Sequence, residues 1–348
     1  MTVTGYCLEE HINRGGSARD LILEPLKEYA DVKLRAWDGV VWQGDANSLQ
    51  HGGLPTTFFQ MPPPPELLAE TSVRLVWMPM WDHARKYSQL WWNALPKSLR
   101  IVAFSTAVAE RAQAAGLPTL VLRYFKQPSA FENVSWDGGR VLMYWNRTGM
   151  VGPRFLGEFC NNLKVDKLFY RGQIDPRIPI QAAYELPQRL GRTIVKELPD
   201  FMPAAEYRRV LGEANMFIAP RMYEGVGLTF LEALSQGCAV FGFDAPTMNE
   251  YITSGEDGCL LPSFLPSVQN KIRKLVKRGN TFVMRHVGRL GIGAGALFSH
   301  PITPYQDWST IRALDLKKLG HTARERHRAG FLEWENSIPG YAQFVLEW

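Results

Sequence analysis

Short apolar runs alternate with stretches of helical periodicity along most of the chain. In the first third, residues 3–8, 32–37, 56–61, 101–105 and 119–125 read as strands. A helix-like stretch at 19–29 carries Leu21, Leu23, Leu26 and Tyr29 on its apolar side, and a second helix at 106–116 ends on glycine. An apolar run from Val73 reads as a buried strand that delivers Asp82 and His83 at its carboxyl end. Pro62 to Pro65 forms a stiff connection. Turn residues dominate 126–140, the candidate linker. Beyond it the rhythm resumes, with strands at 141–145, 167–170, 193–197, 215–219 and 238–243 and a helix at 205–212. The last stretch, 314–348, is helical with an expected break near Pro339. Alternation of this kind predicts an α/β protein whose parallel sheets are wrapped by helices. The expected units are 1–130, 131–325 and a terminal helix, 326–348.

The most informative stretch lies between the strands at 215–219 and 238–243. It reads Glu224-Gly225-Val226-Gly227-Leu228-Thr229, then a helix with Leu228, Leu231 and Leu234 on one side, closed by Gly237. Glycines before a helix let backbone N–H groups come close to a ligand, and a helix amino end suits a phosphate or diphosphate. A helix advances roughly 7 Å from Gly227 to Glu232. Glu224 and Glu232 therefore reach opposite sides of a bound diphosphate. Carboxylates repel phosphate, so both are read as acceptors for hydroxyl groups, one sugar at each end. The plain alternative is a glycine-started helix with two solvated glutamates.

Glu224 and Glu232 make an E-x(7)-E motif, followed by Asn249-Glu250 and by Gly255-Glu256-Asp257-Gly258-Cys259-Leu260-Leu261. From about Leu198 to Pro262 this order resembles the retaining nucleotide-sugar glycosyltransferases of the GT-B fold, family 4 type. The resemblance implies two Rossmann-like domains with parallel sheets facing a cleft, and a last helix crossing back to the first domain, with Phe331, Trp334 and Ile338 as its anchors. It implies that Glu224 orients the donor sugar and Glu232 holds the ribose. It implies that Gly225, Val226, Gly227, Leu228 and Thr229 meet the diphosphate, that Leu198 lies by the base, and that Arg147 and a second cation, Arg154, hold the phosphates. Gly15 and Gly16 resemble the glycine-rich loop after the family's first strand; an ordinary turn explains them equally well. Asp82 and His83 are nominated for the catalytic site, against a helix-capping Asp beside a surface His. Arg154 has a surface arginine as its alternative.

Charge changes the picture in one place. The net charge is +5, yet residues 258–306 contain no Asp or Glu and hold Lys271, Arg273, Lys274, Lys277, Arg278, Arg285 and Arg289. The remainder is net acidic, so the basic character is local. Val268, Ile272, Leu275 and Val276 give that stretch an apolar side, and 268–290 is a candidate for an anionic membrane surface, or else an ordinary surface helix. The four cysteines have no metal-like or redox spacing and are expected as buried thiols in a reducing compartment. No Asp-x-Asp motif appears, and neither a cofactor nor a metal is expected. No leader or membrane-spanning run is read, which favours a cytoplasmic protein, peripheral at most. Of the four tryptophans at 77, 81, 91 and 92, at least two are expected to fill the core.

These readings converge on transfer of a sugar from a nucleoside diphosphate sugar to a hydroxyl of a glycan or lipid-linked acceptor, without metal and with retention. Nucleic acid is not an expected partner. The rivals are a nucleotide-sugar epimerase or hydrolase on the same architecture and a non-catalytic sugar-nucleotide-binding protein.

Overall fold

The computed structural model describes residues 2–12, 21, 24–40, 55–70, 72–128, 134–147, 151–172, 184–199, 202–262 and 308–348. Gly15, Gly16 and the basic stretch 268–290 lie outside the described residues.

Two sheets account for the strands. The first contains β1 (Thr2–Cys7), β2 (Asp31–Ala36), β3 (Thr56–Phe59), β4 (Leu75–Met78), β5 (Arg100–Ala103) and β6 (Thr119–Val121), all parallel, in the order β2-β1-β3-β4-β5-β6. The second contains β7 (Val141–Trp145), β8 (Lys167–Arg171), β9 (Arg189–Leu190), β10 (Thr193–Leu198), β11 (Met216–Ile218), β12 (Ala239–Phe243) and β13 (Cys259–Leu261). Its order is β13-β12-β11-β7-β8-β10-β9, and only β9 runs antiparallel to its neighbour. Strand order reverses between β7 and β11, which pair directly through Met216 and Leu142. In open α/β sheets, the crevice at the carboxyl ends of two such strands is where ligands bind.

Both faces of the first sheet are covered, as parallel sheets require. Along β4, Val76 and Met78 face a core shared with the second half. Leu75 and Trp77 face a separate core with Trp37, Phe58 and Trp92. Trp77 and Trp92 are fully buried and stacked at 5.1 Å, whereas Trp81 and Trp91 are only half-buried at its margin.

The helices that matter here are α1 (Trp81–Ala84), α2 (Thr106–Ala114), α3 (Pro153–Asn162), α4 (Ala204–Glu213), α5 (Leu228–Gln236), α6 (Met248–Tyr251) and α7 (Leu316–Leu346). With 31 residues, α7 is about 46 Å long, enough to span both sheets. It packs on α5 and β12 of the second half and returns to the first. There Trp334 meets Tyr124 edge-on at 5.1 Å, the Tyr341 hydroxyl reaches Met78 Sδ at 3.6 Å, and Arg100 donates to the Phe344 carbonyl at 2.6 Å. Of the expected anchors Trp334 is buried, while Phe331 and Ile338 are half-buried; Tyr341 and Val345 complete the seam.

Three expectations are corrected. The helix is not broken at Pro339, which lies inside α7. Burial of Trp334 on one side and Tyr341 on the other holds the axis through it. The strand at 73–83 stops at Met78, because Pro79 has no N–H for the ladder, and Asp82 and His83 fall in the short helix α1. The strand at 119–125 stops at Val121, and the chain leaves the sheet edge as the connection to the second half.

Candidate active site

The site is assembled where the carboxyl ends of β7, β8 and β11 stand side by side. Behind β7, Asn146 is wholly buried and donates to the Tyr170 hydroxyl at 3.2 Å; Tyr170 in turn donates to the Tyr184 carbonyl at 2.8 Å. This satisfied polar network fixes the chain from which Arg147 departs. Arg147 lies 5.0 Å from the centre of the Trp145 ring and Arg171, the last residue of β8, lies 4.4 Å from the same ring. Arg221 follows β11. Three arginines thus stand at three adjacent strand ends, and two of them, Arg147 and Arg221, act on the charge of Glu224, a setting suited to a polyanion.

Between them sits the glycine loop. Gly227 is the N-cap of α5 at φ 75°, a left-handed conformation, and a Cβ there would stand 1.9 Å from the Phe230 ring. No side chain caps this helix end, and Leu228 and Thr229 at its opening are half-exposed. The Leu228 and Thr229 N–H groups at that end are therefore available to an anion. Gly225 serves a different purpose: a Cβ there would come within 2.8 Å of Met80, which packs onto the loop from the first half. Val226 is buried, and so is Leu198 at the end of β10.

Glu224 is 5% exposed. Burial pushes its carboxyl up to about 7, against the lowering pull of Arg221 and Arg147, while Asp82 pushes it further up. Its backbone is anchored from behind. The Thr247 hydroxyl donates to the Glu224 carbonyl at 2.8 Å, and Thr247 itself is wholly buried at φ 84°, ψ −64°. A β-branched residue rarely adopts that conformation, and such strain is held only where the surroundings dictate it.

Asp82 comes from the other half of the molecule. Its Oδ2 accepts from Arg221 at 3.2 Å, and its Oδ1 accepts from the His83 N–H at 3.1 Å. Next to it, the Arg85 guanidinium lies 4.2 Å over the Tyr223 ring. The α1 segment therefore covers the loop 221–225 through an ion pair, a cation–π contact and the Met80 side chain. A second bridge forms further on. Glu250, at the head of α6, accepts from the Thr106 N–H at 2.9 and 2.8 Å and from its hydroxyl at 2.8 Å, adding a carboxylate from across the cleft to the start of α2, which Ser105 caps.

Glu232 lies on α5 in partly open surroundings and pairs with Lys126 from the connecting segment. Arg154 is not gathered with the others. It stands on α3 with its side chain 85% exposed and bonds Glu158 one turn on at 3.0 Å. The sequence reading missed Arg171, Arg221 and Lys126. The first two had a usable signal, since each stands at or just beyond the carboxyl end of a parallel strand. Lys126 had none, because its partner is remote in the chain. Among the described residues no three His, Cys, Asp or Glu side chains gather as metal ligands, and no helix is long and apolar enough to cross a membrane.

Two parallel-sheet α/β halves facing a cleft, tied by a returning helix, define the GT-B fold, and solved structures of that fold align with nearly the whole chain. HepE from Anabaena, in complex with UDP and glucose, aligns with 98% of this chain and 99% of its own at 13% identity, TM-score 0.57. Sucrose-phosphate synthase from Thermosynechococcus elongatus aligns with 99% and 98% at 13% identity, TM-score 0.60. WaaG, a glycosyltransferase involved in lipopolysaccharide biosynthesis, aligns with all of both chains at 14% identity, TM-score 0.53. At such identities the likeness speaks for the fold alone. Within that fold, residues 194–285 match the family Glycosyl transferases group 1. The GtfA subunit of the UDP-N-acetylglucosamine–peptide N-acetylglucosaminyltransferase of Streptococcus pneumoniae serotype 4 (strain ATCC BAA-334 / TIGR4) is 32% identical over 71 residues, 20% of this chain and 14% of that protein. The match thus spans a small part of that relative.

Proposed function

We propose that this protein transfers a sugar from a nucleoside diphosphate sugar to a hydroxyl of a glycan or lipid-linked acceptor, as a retaining enzyme of the family 4 type that needs no metal. The observation that carries this reading is the buried Glu224 set beside Arg147 and Arg221 at the uncapped start of α5. A diphosphate suits that helix end and those guanidiniums. In the transfer, the bond from the anomeric carbon to the phosphate oxygen breaks and its electron pair leaves with the diphosphate. The acceptor oxygen bonds the same carbon and passes its proton to the departing phosphate oxygen. Charge grows on the leaving group, where the fixed N–H dipoles and arginines stabilise it without reorganising. Glu224 orients the hydroxyls of the donor sugar, and Glu232 receives the ribose. Met80, Asp82 and Arg85 close the cleft from the acceptor side and exclude water.

The UDP and glucose bound to HepE make uridine donors the first to try. Purified protein is incubated with UDP-glucose, UDP-N-acetylglucosamine and GDP-mannose, with and without glycan or lipid-linked acceptors, in excess chelator. Acceptor-dependent release of the diphosphate supports the reading. Release that needs no acceptor points to a hydrolase, and thermal stabilisation by a nucleotide sugar without turnover points to a binding protein. A surface-polysaccharide or glycoconjugate product is part of this proposal, as is contact of 268–290 with anionic lipid. Removal of that stretch is expected to abolish sedimentation with phosphatidylglycerol vesicles; persistence of binding refutes the contact.

A further inference from the structure

We propose that Lys126 is a positioning residue of the donor site, which holds the Glu232 carboxylate in the setting that receives the nucleotide's ribose. This rests on the donor reading above. Glu232 has no cation on its own helix: the positions three and four away are Leu228, Thr229, Ser235 and Gln236. Its counter-ion arrives from the segment that joins the two sheets, where Lys126 Nζ meets Glu232 Oε1. The pair is partly shielded, with side chains 32% and 20% exposed, so it is screened less than a surface pair.

The main chain of Lys126 is held as firmly as its ammonium. The Lys126 carbonyl faces His327 Nε2 at 2.8 Å. A carbonyl only accepts, so that nitrogen carries the proton. His327 is 1% exposed on α7, and the preceding Phe125 packs edge-on between its ring at 5.4 Å and the Tyr251 ring at 5.2 Å. The His327 contact fixes where the lysine stem begins and the Glu232 contact fixes where it ends. The Tyr207 hydroxyl, buried close enough to sense the charge of Glu232, has no hydrogen-bond partner among the described residues. Glu232 therefore has beside it, besides the lysine, a buried hydroxyl with no partner among the described residues. A carboxylate has about four lone-pair sites, so one oxygen can keep the lysine while the rest accept a vicinal diol. The ligand chemistry is a nucleoside diphosphate with both ribose hydroxyls.

The test is calorimetric titration of the full chain with UDP and with 2′-deoxy-UDP, comparing wild type, Lys126→Met, Lys126→Arg, Glu232→Gln and the double variant Lys126→Met/Glu232→Gln, each with its melting temperature. Loss of one charge-assisted contact predicts that Lys126→Met binds UDP about tenfold more weakly, with a smaller change for 2′-deoxy-UDP, so the preference for ribose shrinks. Lys126→Arg keeps the charge and stays within about threefold of wild type. The double variant is expected to bind no worse than the weaker single variant. Wild-type affinity in Lys126→Met, equal loss for both nucleotides, or additive losses in the double variant overturns the role of Lys126 while the donor reading stands. If wild type binds neither UDP, GDP nor ADP, the donor reading itself falls and this inference with it.

Discussion

Glu224 and Glu232 belong to one short motif and are chemically identical, yet the two regions they occupy differ in nearly every respect. Around Glu224 the chain is dry. The side chain is buried, roofed by Met80 and α1, and surrounded by Arg147, Arg221 and Asp82, which are charges drawn from three separate segments. Around Glu232 the structure is more open, and among the described residues Lys126 from the connecting segment answers its charge. The lesson is that spacing on a helix sets where two acids can reach, while burial sets what each can do. A dry carboxyl titrating near 7 can accept or donate to sugar hydroxyls at neutral pH. A paired, half-wet carboxylate is suited to holding a ligand in place.

The sharpest way to break that contrast is to neutralise the buried acid. Glu224→Gln is expected to lower transfer hundred- to thousand-fold with unchanged circular dichroism, since it removes a preorganised group at the reacting sugar. Turnover within about twofold of wild type would falsify the role assigned to Glu224. Its stability should move the other way. A carboxyl whose folded value lies above its unfolded one costs nothing below about pH 4.5, and the cost grows as pH rises towards about 7. Glu224→Gln is therefore expected to be more stable than wild type by up to about 3 kcal/mol at pH 8, with the gap closing near pH 4.5. Thermal melts at the two pH values check it, and a gap that does not depend on pH refutes the burial argument. Glu232→Ala is expected to raise the donor KM about tenfold while kcat falls much less, because its contact is formed equally in the ground and transition states. Steady-state kinetics decides, and a fall confined to kcat would make the two acids equivalent. The smallest effect is expected at the second bridge across the cleft. Glu250→Ala removes an acceptor for Thr106 at the start of α2 while the Ser105 cap stays, and is expected to cost about 1 kcal/mol in urea unfolding.

Much of the second half was legible in the sequence because its signals are local. The run 141–145 coincides with β7, and the Leu228, Leu231, Leu234 spacing and Gly237 mark α5 to within a residue. A glycine before that helix was readable, but the reason for Gly225 was not: the atom that forbids a side chain there belongs to Met80, far away in the chain. Likewise, Asp82 was named for a strand end and lies in a helix turn, where an ion pair with Arg221 brings it to the site. Arg154, the nearest cation to the lysine the resemblance leads one to expect, is turned to solvent by α3, the alternative the sequence also allows.

The sequence by itself determined the alternation of strands and helices, the glycine loop and the two acids, since periodicity and turn chemistry act over a few residues. Tertiary structure alone decided the partners: Asp82 with Arg221, Lys126 with Glu232, Thr106 with Glu250, and Arg100 with the end of α7. Each joins residues more than 100 positions apart, and no local propensity encodes which groups meet when two sheets close on one another. The two glutamates therefore look alike in sequence and differ in the fold, because desolvation and ion pairing belong to the assembled cleft.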